Sequence, residues 1–240
     1  MTEPQTPILF LDFDGTVSRC DAIDAILEKY ADAKWRTLEE EWRAGRIGSR
    51  DCLHAQMALV RATREQLDAL LDEIELDEGL AVLLETCAAQ KVPAHIISDG
   101  FDYCIRQILA RAEAELSRLL RGVRVCASHL DPEGHRWRIE FPFFHQACTH
   151  GCATCKPAVM RLLNRANAPT VFVGDGLSDA YAAAKADYVF AKNGLAKYCR
   201  EQLIEHVPYN DLGEVAAQLD DLLRSQRAIR KGERATFVSA

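Results

Sequence analysis

An α/β fold, with a Rossmann-like parallel sheet core and a helical cap inserted after the first strand, is predicted by three observations. Short apolar runs at 8–11, 92–97 and 170–173 each lead directly into Asp, Ser or Gly. From residue 77 onward the runs alternate with helical periodicity, as a parallel sheet with helical crossovers requires. Residues 18–76, between the first and second runs, carry helical spacing only. The chain thus divides into a core of residues 1–17 and 77–224, a cap of residues 18–76, and a polar tail of residues 225–240.

The first run, Ile8-Leu9-Phe10-Leu11, reads as a short buried strand opening into Asp12-Phe13-Asp14-Gly15-Thr16. Side chains two apart along an extended segment share a face, so Asp12 and Asp14 point the same way. Such a pair suits covalent catalysis, in which one carboxylate attacks and the other moves a proton. Gly15 permits a tight turn, and the Thr16 hydroxyl suits a phosphate oxygen. Taken alone, the motif also fits an exposed acidic turn or a calcium loop.

In the cap, Ile23, Ile26, Leu27 and Tyr30 repeat at helical spacing, as do Leu67, Leu70, Leu71 and Ile74. Gly45 to Ser49 breaks the pattern, with Ser49 as a candidate N-cap. A helix through Leu80, Leu83 and Leu84 leads to the strand at 92–97, which ends in Ser98-Asp99-Gly100. Helical sequence fills 101–120, and 123–128 is strand-like. A turn signal at 131–134 then joins it to 137–141, a hairpin that leaves the sheet. Lys156 opens a helix to residue 166. The strand at 170–173 ends in Gly174-Asp175-Gly176-Leu177-Ser178-Asp179, followed by a helix at 178–186 and a strand at 188–190. Val215, Leu219, Leu222 and Leu223 predict a closing helix, and the tail beyond carries Arg227, Arg230, Lys231 and Arg234.

Four motifs therefore fall at the carboxyl ends of strands or at a helix start, where open parallel sheets bind ligands. Aspartates suit a divalent cation, while Ser and Lys suit phosphoryl oxygens. In order and spacing, Asp12 to Thr16, Ser98 to Gly100, Lys156 and Asp175 to Asp179 resemble the haloacid dehalogenase superfamily of phosphohydrolases. The resemblance covers residues 8–179 and extends to its phosphoserine phosphatase-like subgroup. It implies that Asp12 is the nucleophile that becomes an aspartyl phosphate and that Asp14 is the general acid and base. It further implies phosphate binding by Thr16, Ser98, Asp99, Gly100 and Lys156. Mg²⁺ would be held by Asp12, the main-chain carbonyl of Asp14 and Asp175, with support from Asp179. Members that dehalogenate or cleave phosphonates lack the second aspartate of the first motif, so Asp14 argues for a phosphatase.

Composition narrows the function classes. With 48% hydrophobic and 27% charged residues, the chain can bury a core, and its net charge of −7 disfavours nucleic acid or an anionic membrane as partner. No apolar run reaches the roughly 20 residues that span a bilayer, and the polar start lacks a signal core. A cytoplasmic location is expected, with a small-molecule phosphate ester as partner and either a monomer or a homodimer as the assembly.

Six of nine cysteines are scattered singly and read as small core residues. Cys148, Cys152 and Cys155 crowd the approach to Lys156. With His150 or His145 they offer a possible structural Zn²⁺ set, the alternatives being packing thiols or a redox-sensitive pair. Cysteines before a Lys-Pro helix start resemble the methionine-salvage phosphatases of 2-hydroxy-3-keto-5-methylthiopentenyl phosphate, and also the phosphoethanolamine and phosphocholine phosphatases. Asp21 matches the place where phosphoserine phosphatases hold the substrate amine, yet it suits equally the N-cap of the first cap helix. Asp99, where many phosphoserine phosphatases carry glycine, argues for a different pocket. Two further readings are a phosphate-binding relative without turnover and phosphoryl transfer to an alcohol.

Overall fold

The computed structural model describes residues 6–133 and 136–230, with side chains to residue 224. The first strand, β1 (Ile8–Leu11), is buried at every position, which explains its unbroken apolar sequence. Four helices follow before the chain returns to the sheet: α1 (Ala22–Tyr30), α2 (Trp35–Arg43), α3 (Ser49–Met57) and α4 (Arg64–Leu71). Asp21 caps α1 by accepting from the N–H groups of Ile23 and Asp24, and Thr63 with Gln66 forms a capping box on α4. Ser49 is the first residue of α3, not its N-cap; Gly48 holds that place.

The core then runs α5 (Leu80–Gln90), β2 (Ala94–Phe101), α6 (Asp102–Leu109), α7 (Ala114–Leu120), β3 (Arg124–Glu133) and β4 (Arg136–Glu140). It continues with α8 (Lys156–Leu163), β5 (Thr170–Gly174), a 3₁₀ turn at Leu177–Asp179, and α9 (Ala180–Ala183). The chain closes through β6 (Tyr188–Ala191), α10 (Asn193–Glu201), β7 (Val207–Pro208) and α11 (Leu212–Arg230). The seven strands are ordered β4-β3-β2-β1-β5-β6-β7, all neighbours parallel except β3 and β4. β1 is therefore central, and its carboxyl end lies between those of β2 and β5.

Several expectations shift. The strand read as ending at residue 97 continues to Phe101 through a register shift between Ile97 and Phe101, a bulge that re-aims Ser98, Asp99 and Gly100. The helical stretch 101–120 is two helices. Asp131, Pro132 and Glu133, read as a turn, extend β3 and pair with β4; Gly134 lies outside the described residues. α8 stops at Leu163, and the helix read over 178–186 is a 3₁₀ turn and one short helix. Residues 225–230, expected as tail, continue α11, which runs to Arg230; residues 231–240 lie outside the described residues. Among the described residues no helix is long and apolar enough to cross a membrane.

Apolar faces of the inserted helices join the same buried cluster as one face of the sheet. Ile23, Ile26, Leu27, Leu67 and Leu71 belong with Leu9, Leu11, Val171 and Val173. The insert is thus packed onto the core that carries β1, which fixes it over the strand ends. A smaller cluster around Phe10, Ile97 and Phe172 fills the opposite face.

Candidate active site

A cleft of about 970 Å³ opens at the carboxyl ends of the strands, between the sheet and helices α1 to α3. Asp12, Asp14, Ser98, Asp99, Gly100 and Asp175 line its core side; Asp21, Asp24, Glu39, Trp42, Arg43 and Leu53 line it from the insert. Asp12 leaves the end of β1 and is 4% exposed. Its Oδ1 accepts from Lys156 Nζ at 2.6 Å, and the same ammonium donates to Asp179 Oδ1 at 2.6 Å. Burial and then Asp179 push the Asp12 carboxyl well above its usual range, although Lys156 pulls it down. Burial would lower the pKa of Lys156, but Asp12, Asp179 and Asp99 outweigh it and keep the ammonium charged.

Asp14 meets different neighbours. Its Oδ1 accepts from the Ala22 N–H at 2.9 Å, and its Oδ2 accepts from the Ser98 hydroxyl at 3.3 Å. Burial raises this carboxyl to about 6, against the pull of the Ala22 N–H, Lys156 and Ser98. The bulge in β2 makes the approach possible. Gly100 donates its N–H to Ser98 Oγ at 2.9 Å, and a Cβ there would lie 2.6 Å from Asp14 Oδ2.

Oxygen atoms of Asp12, Asp175 and Asp179 lie within 4.8 Å of one another. They form the expected acidic cluster, and such hard oxygen donors fit a small divalent cation. Asp179 is fully buried, and its Oδ2 accepts from the N–H groups of Asp175 and Gly176 at 3.0 and 3.1 Å. Burial and Asp179 raise the Asp175 carboxyl. Gly15 is held at φ +73, and a Cβ on it would lie 2.5 Å from Asp175 Oδ2. Gly15→Ala is expected to cost about 1–3 kcal/mol through left-handed strain and displacement of Asp175. A thermal melt and the half-saturating Mg²⁺ concentration check it; unchanged values in both would refute the close approach.

Three expected placements change. Thr16 is fully buried, its hydroxyl 3.4 Å from that of Tyr209, and it does not line the cleft. Lys156 is 1% exposed and lies behind Asp12, because a buried cation needs paired anions, and two carboxylates grip it. The Asp99 carboxylate accepts from Ser49 Oγ at 2.6 Å and the Thr154 N–H at 3.0 Å, which occupies it with the insert and the loop before α8. Asp21 caps α1, its Oδ1 accepting at 2.8 and 3.0 Å, and the residue also lines the cleft.

The zinc reading gains no support. Among the described residues only the aspartate trio gathers ligand atoms closely enough for a metal, and the His150 ring stacks on Tyr181 at 3.7 Å. The thiols of Cys152 and Cys155 hydrogen-bond instead with Cys148. Burial raises the Cys148 thiol, but those bonds and the N–H groups of Cys152 and His150 bring it below its usual range. All nine cysteines are free.

Sequence reasoning missed the wall built by α10 and β7. Asn193 donates to Asp175 Oδ2 at 3.3 Å, and the Lys192 ammonium lies 5.0 Å from the Tyr209 ring centroid. The Asn193-Gly194 dipeptide directly after a strand was the available signal, since Asn tolerates the φ of 46° found there.

A family model described as haloacid dehalogenase-like hydrolase matches residues 9–184. The chain belongs to that family. This hydrolase is similar over 90% of its length to a protein named 2-hydroxy-3-keto-5-methylthiopentenyl-1-phosphate phosphatase from Geobacillus thermodenitrificans (strain NG80-2), at 29% identity and 96% coverage of that relative. A relative of the same name from Bacillus pumilus (strain SAFR-032) is 26% identical, with 90% of this chain and 92% of that one covered. Among solved structures, a phospho-aspartyl intermediate analogue of phosphoserine phosphatase superposes with a TM-score of 0.68 at 17% identity, over 89% of this chain and 99% of that one. A haloacid dehalogenase family hydrolase, t0658 from Salmonella enterica subsp. enterica serovar Typhi, also gives 0.68, at 19% identity over 88% and 70%. The last two establish likeness of fold. The family and its named relatives make this hydrolase a phosphatase.

Proposed function

We propose that this phosphatase cleaves a small phosphate monoester through an aspartyl phosphate on Asp12, with Mg²⁺ as cofactor and a methylthio-keto-pentenyl phosphate as substrate. The observation that carries the mechanism is the unlike surroundings of two carboxylates two residues apart. Burial raises both carboxyls, but their partners differ: Asp12 is gripped by an ammonium at 2.6 Å, whereas Asp14 is aimed by a hydroxyl and an N–H group. One is suited to attack and the other to carry a proton.

In the first step an Asp12 oxygen attacks phosphorus and the bond to the ester oxygen breaks. Protonated Asp14 donates its proton to that departing oxygen, so the alcohol leaves neutral. Ionised Asp14 then takes a proton from water, whose oxygen attacks phosphorus, and the bond to Asp12 breaks to release phosphate. Lys156 orients Asp12 from behind and favours its charged form against the cost of burial, and Ser98 holds Asp14 in place. Asp12, Asp175 and the Asp14 carbonyl, backed by Asp179, would hold Mg²⁺, which supplies positive charge to the phosphoryl oxygens when bound.

The names of the relatives support the methylthio substrate, as do Ile23, Trp42 and Leu53 in the wall of the cleft, because a methylthio tail needs an apolar surface. A second reading, a phosphate ester bearing an amine such as phosphoserine, phosphoethanolamine or phosphocholine, is favoured by Asp21 and Asp24 in the same wall. Phosphate release from a panel of monoesters with Mg²⁺ tests both. Preference for the methylthio-keto ester supports the first; an inert panel refutes the phosphatase.

The Asp14 carboxyl also sets a pH dependence. An alkyl ester needs the protonated acid, so kcat/KM for such a substrate is expected to fall as pH rises through about 6. With p-nitrophenyl phosphate, whose leaving group departs unprotonated, that fall should vanish. A pH-rate profile for each ester checks it; identical falling limbs would count against Asp14.

A further inference from the structure

We propose that Asp99 is a positioning residue that latches the helical insert to the loop carrying Lys156, so that seating the insert over the cleft and placing the ammonium behind Asp12 are one event. The proposal rests on the reading of Asp12 as the attacking group, and it adds a residue whose carboxylate touches neither Asp12 nor Asp14.

The insert is tied to the core on two sides. On one, α4 meets α6 and the hairpin: the Tyr103 hydroxyl donates to Asp68, Gln107 Nε2 donates to Asp72 Oδ1 at 3.0 Å, and Trp137 Nε1 donates to the Ala62 carbonyl at 3.3 Å. Arg111 adds bonds to the Leu71 and Ile74 carbonyls at 3.3 and 3.1 Å. On the other side the first turn of α3 meets the loop before α8, and Asp99 stands between them. Ser49 Oγ donates to Asp99 Oδ2 at 2.6 Å and accepts from the Ala153 N–H at 2.9 Å. Asp99 Oδ1 accepts from the Thr154 N–H at 3.0 Å, and Arg50 N donates to the Gly151 carbonyl at 3.0 Å.

Three pieces distant in sequence, β2, α3 and the loop at 151–154, thus share one carboxylate. Thr154 is two residues from Lys156, so the bond that fixes its N–H also fixes the start of α8. The bulge at Ser98 to Gly100 couples the latch to the proton donor, because Ser98 donates to Asp14 and Gly100 leaves room for that carboxylate, while Asp99 between them holds the insert. Bonds to a charged acceptor are worth enough that losing them should raise local opening about tenfold to a hundredfold.

Ser49→Ala and Asp99→Ala, singly and together, with Ser49→Thr as the conservative variant, form the test. Amide hydrogen exchange is read at Ala153, Thr154 and the first turn of α3, and kcat and KM are read with a phosphate monoester and Mg²⁺. Both single variants are expected to speed exchange about tenfold or more on both sides of the latch. They should lower kcat more than they change KM, with the double variant no worse than the poorer single and Ser49→Thr restoring the wild-type values. A rise in KM for Asp99→Ala alone, with Ser49→Ala silent, would make Asp99 a substrate contact and overturn the latch. Unchanged exchange in α3 on losing Asp99 would overturn it too. Because exchange needs no turnover, an enzyme inert towards every ester would sink the phosphatase reading while exchange still decides this one. Ser49→Ala, which removes one oxygen atom, keeps the test open if Asp99→Ala does not fold.

Discussion

Asp12→Asn is expected to lower phosphate release by at least about 10⁴-fold, because the amide is a poor nucleophile and no other carboxylate stands in the same place to attack. Asp14 is turned towards Ser98 and the Ala22 N–H, and Asp179 is wholly buried with both oxygens engaged. The substitution keeps the size and shape of the side chain, and Lys156 retains Asp179 as a partner. Its effect on stability has a definite sign. The carboxyl of Asp12 is raised in the folded protein, so the native state binds that proton more tightly than the unfolded chain does. Ionisation therefore opposes folding as pH rises above the ordinary carboxylate range. A neutral amide removes this opposition, so the metal-free variant should melt no lower than the wild type at neutral pH. Steady-state phosphate release and a thermal melt on one preparation check both halves. Retention of most of the rate would mean that another group attacks.

The parts of this site that were legible in the sequence are those whose chemistry is local. Asp12 and Asp14 follow a buried strand, so a period of two fixes their common face before any tertiary contact is known. Asp175 and Asp179 likewise follow β5, and the 3₁₀ turn between them brings the Asp179 carboxylate back to the N–H groups of Asp175 and Gly176. Directions set by distant partners were not legible. The sequence suggests Thr16 as a phosphate ligand, but Tyr209, 193 positions later, takes its hydroxyl into the core. It suggests Asp99 for the same role, but Ser49 and Thr154 engage its carboxylate. It puts Lys156 at a helix start, yet only the tertiary structure shows two carboxylates enclosing it. The α10 and β7 wall escaped for another reason. β7 is a two-residue strand whose residues are both exposed, so it carries no alternation to detect.

Lys156→Met should be the most destabilising of these changes in the metal-free protein and should also abolish most of the activity. The ammonium lies 2.6 Å from one oxygen of Asp12 and 2.6 Å from one of Asp179, and all three side chains are nearly or wholly buried. Without it two carboxylates face each other in a medium that solvates neither, and breaking a buried ion pair in this way costs about 3–5 kcal/mol. The loss should shrink at acidic pH, because proton uptake by Asp12 relieves the repulsion, and it should shrink when Mg²⁺ is added, because a cation held by Asp12 and Asp175 would relieve it as well. Activity should not return with the stability. The cation restores charge in front of Asp12 but not the donor behind it, so turnover is expected to stay about 10²–10³-fold down even when the melt has recovered. Lys156→Arg should not rescue it, since a planar guanidinium is larger than the enclosed space between two oxygens that a compact ammonium bridges. Melts in chelator and in Mg²⁺, paired with phosphate release, separate the two roles. A variant as stable as the wild type in chelator would mean that the two carboxylates do not depend on this ammonium. Parallel recovery of melt and turnover in Mg²⁺ would mean that Lys156 contributes charge alone and no orientation.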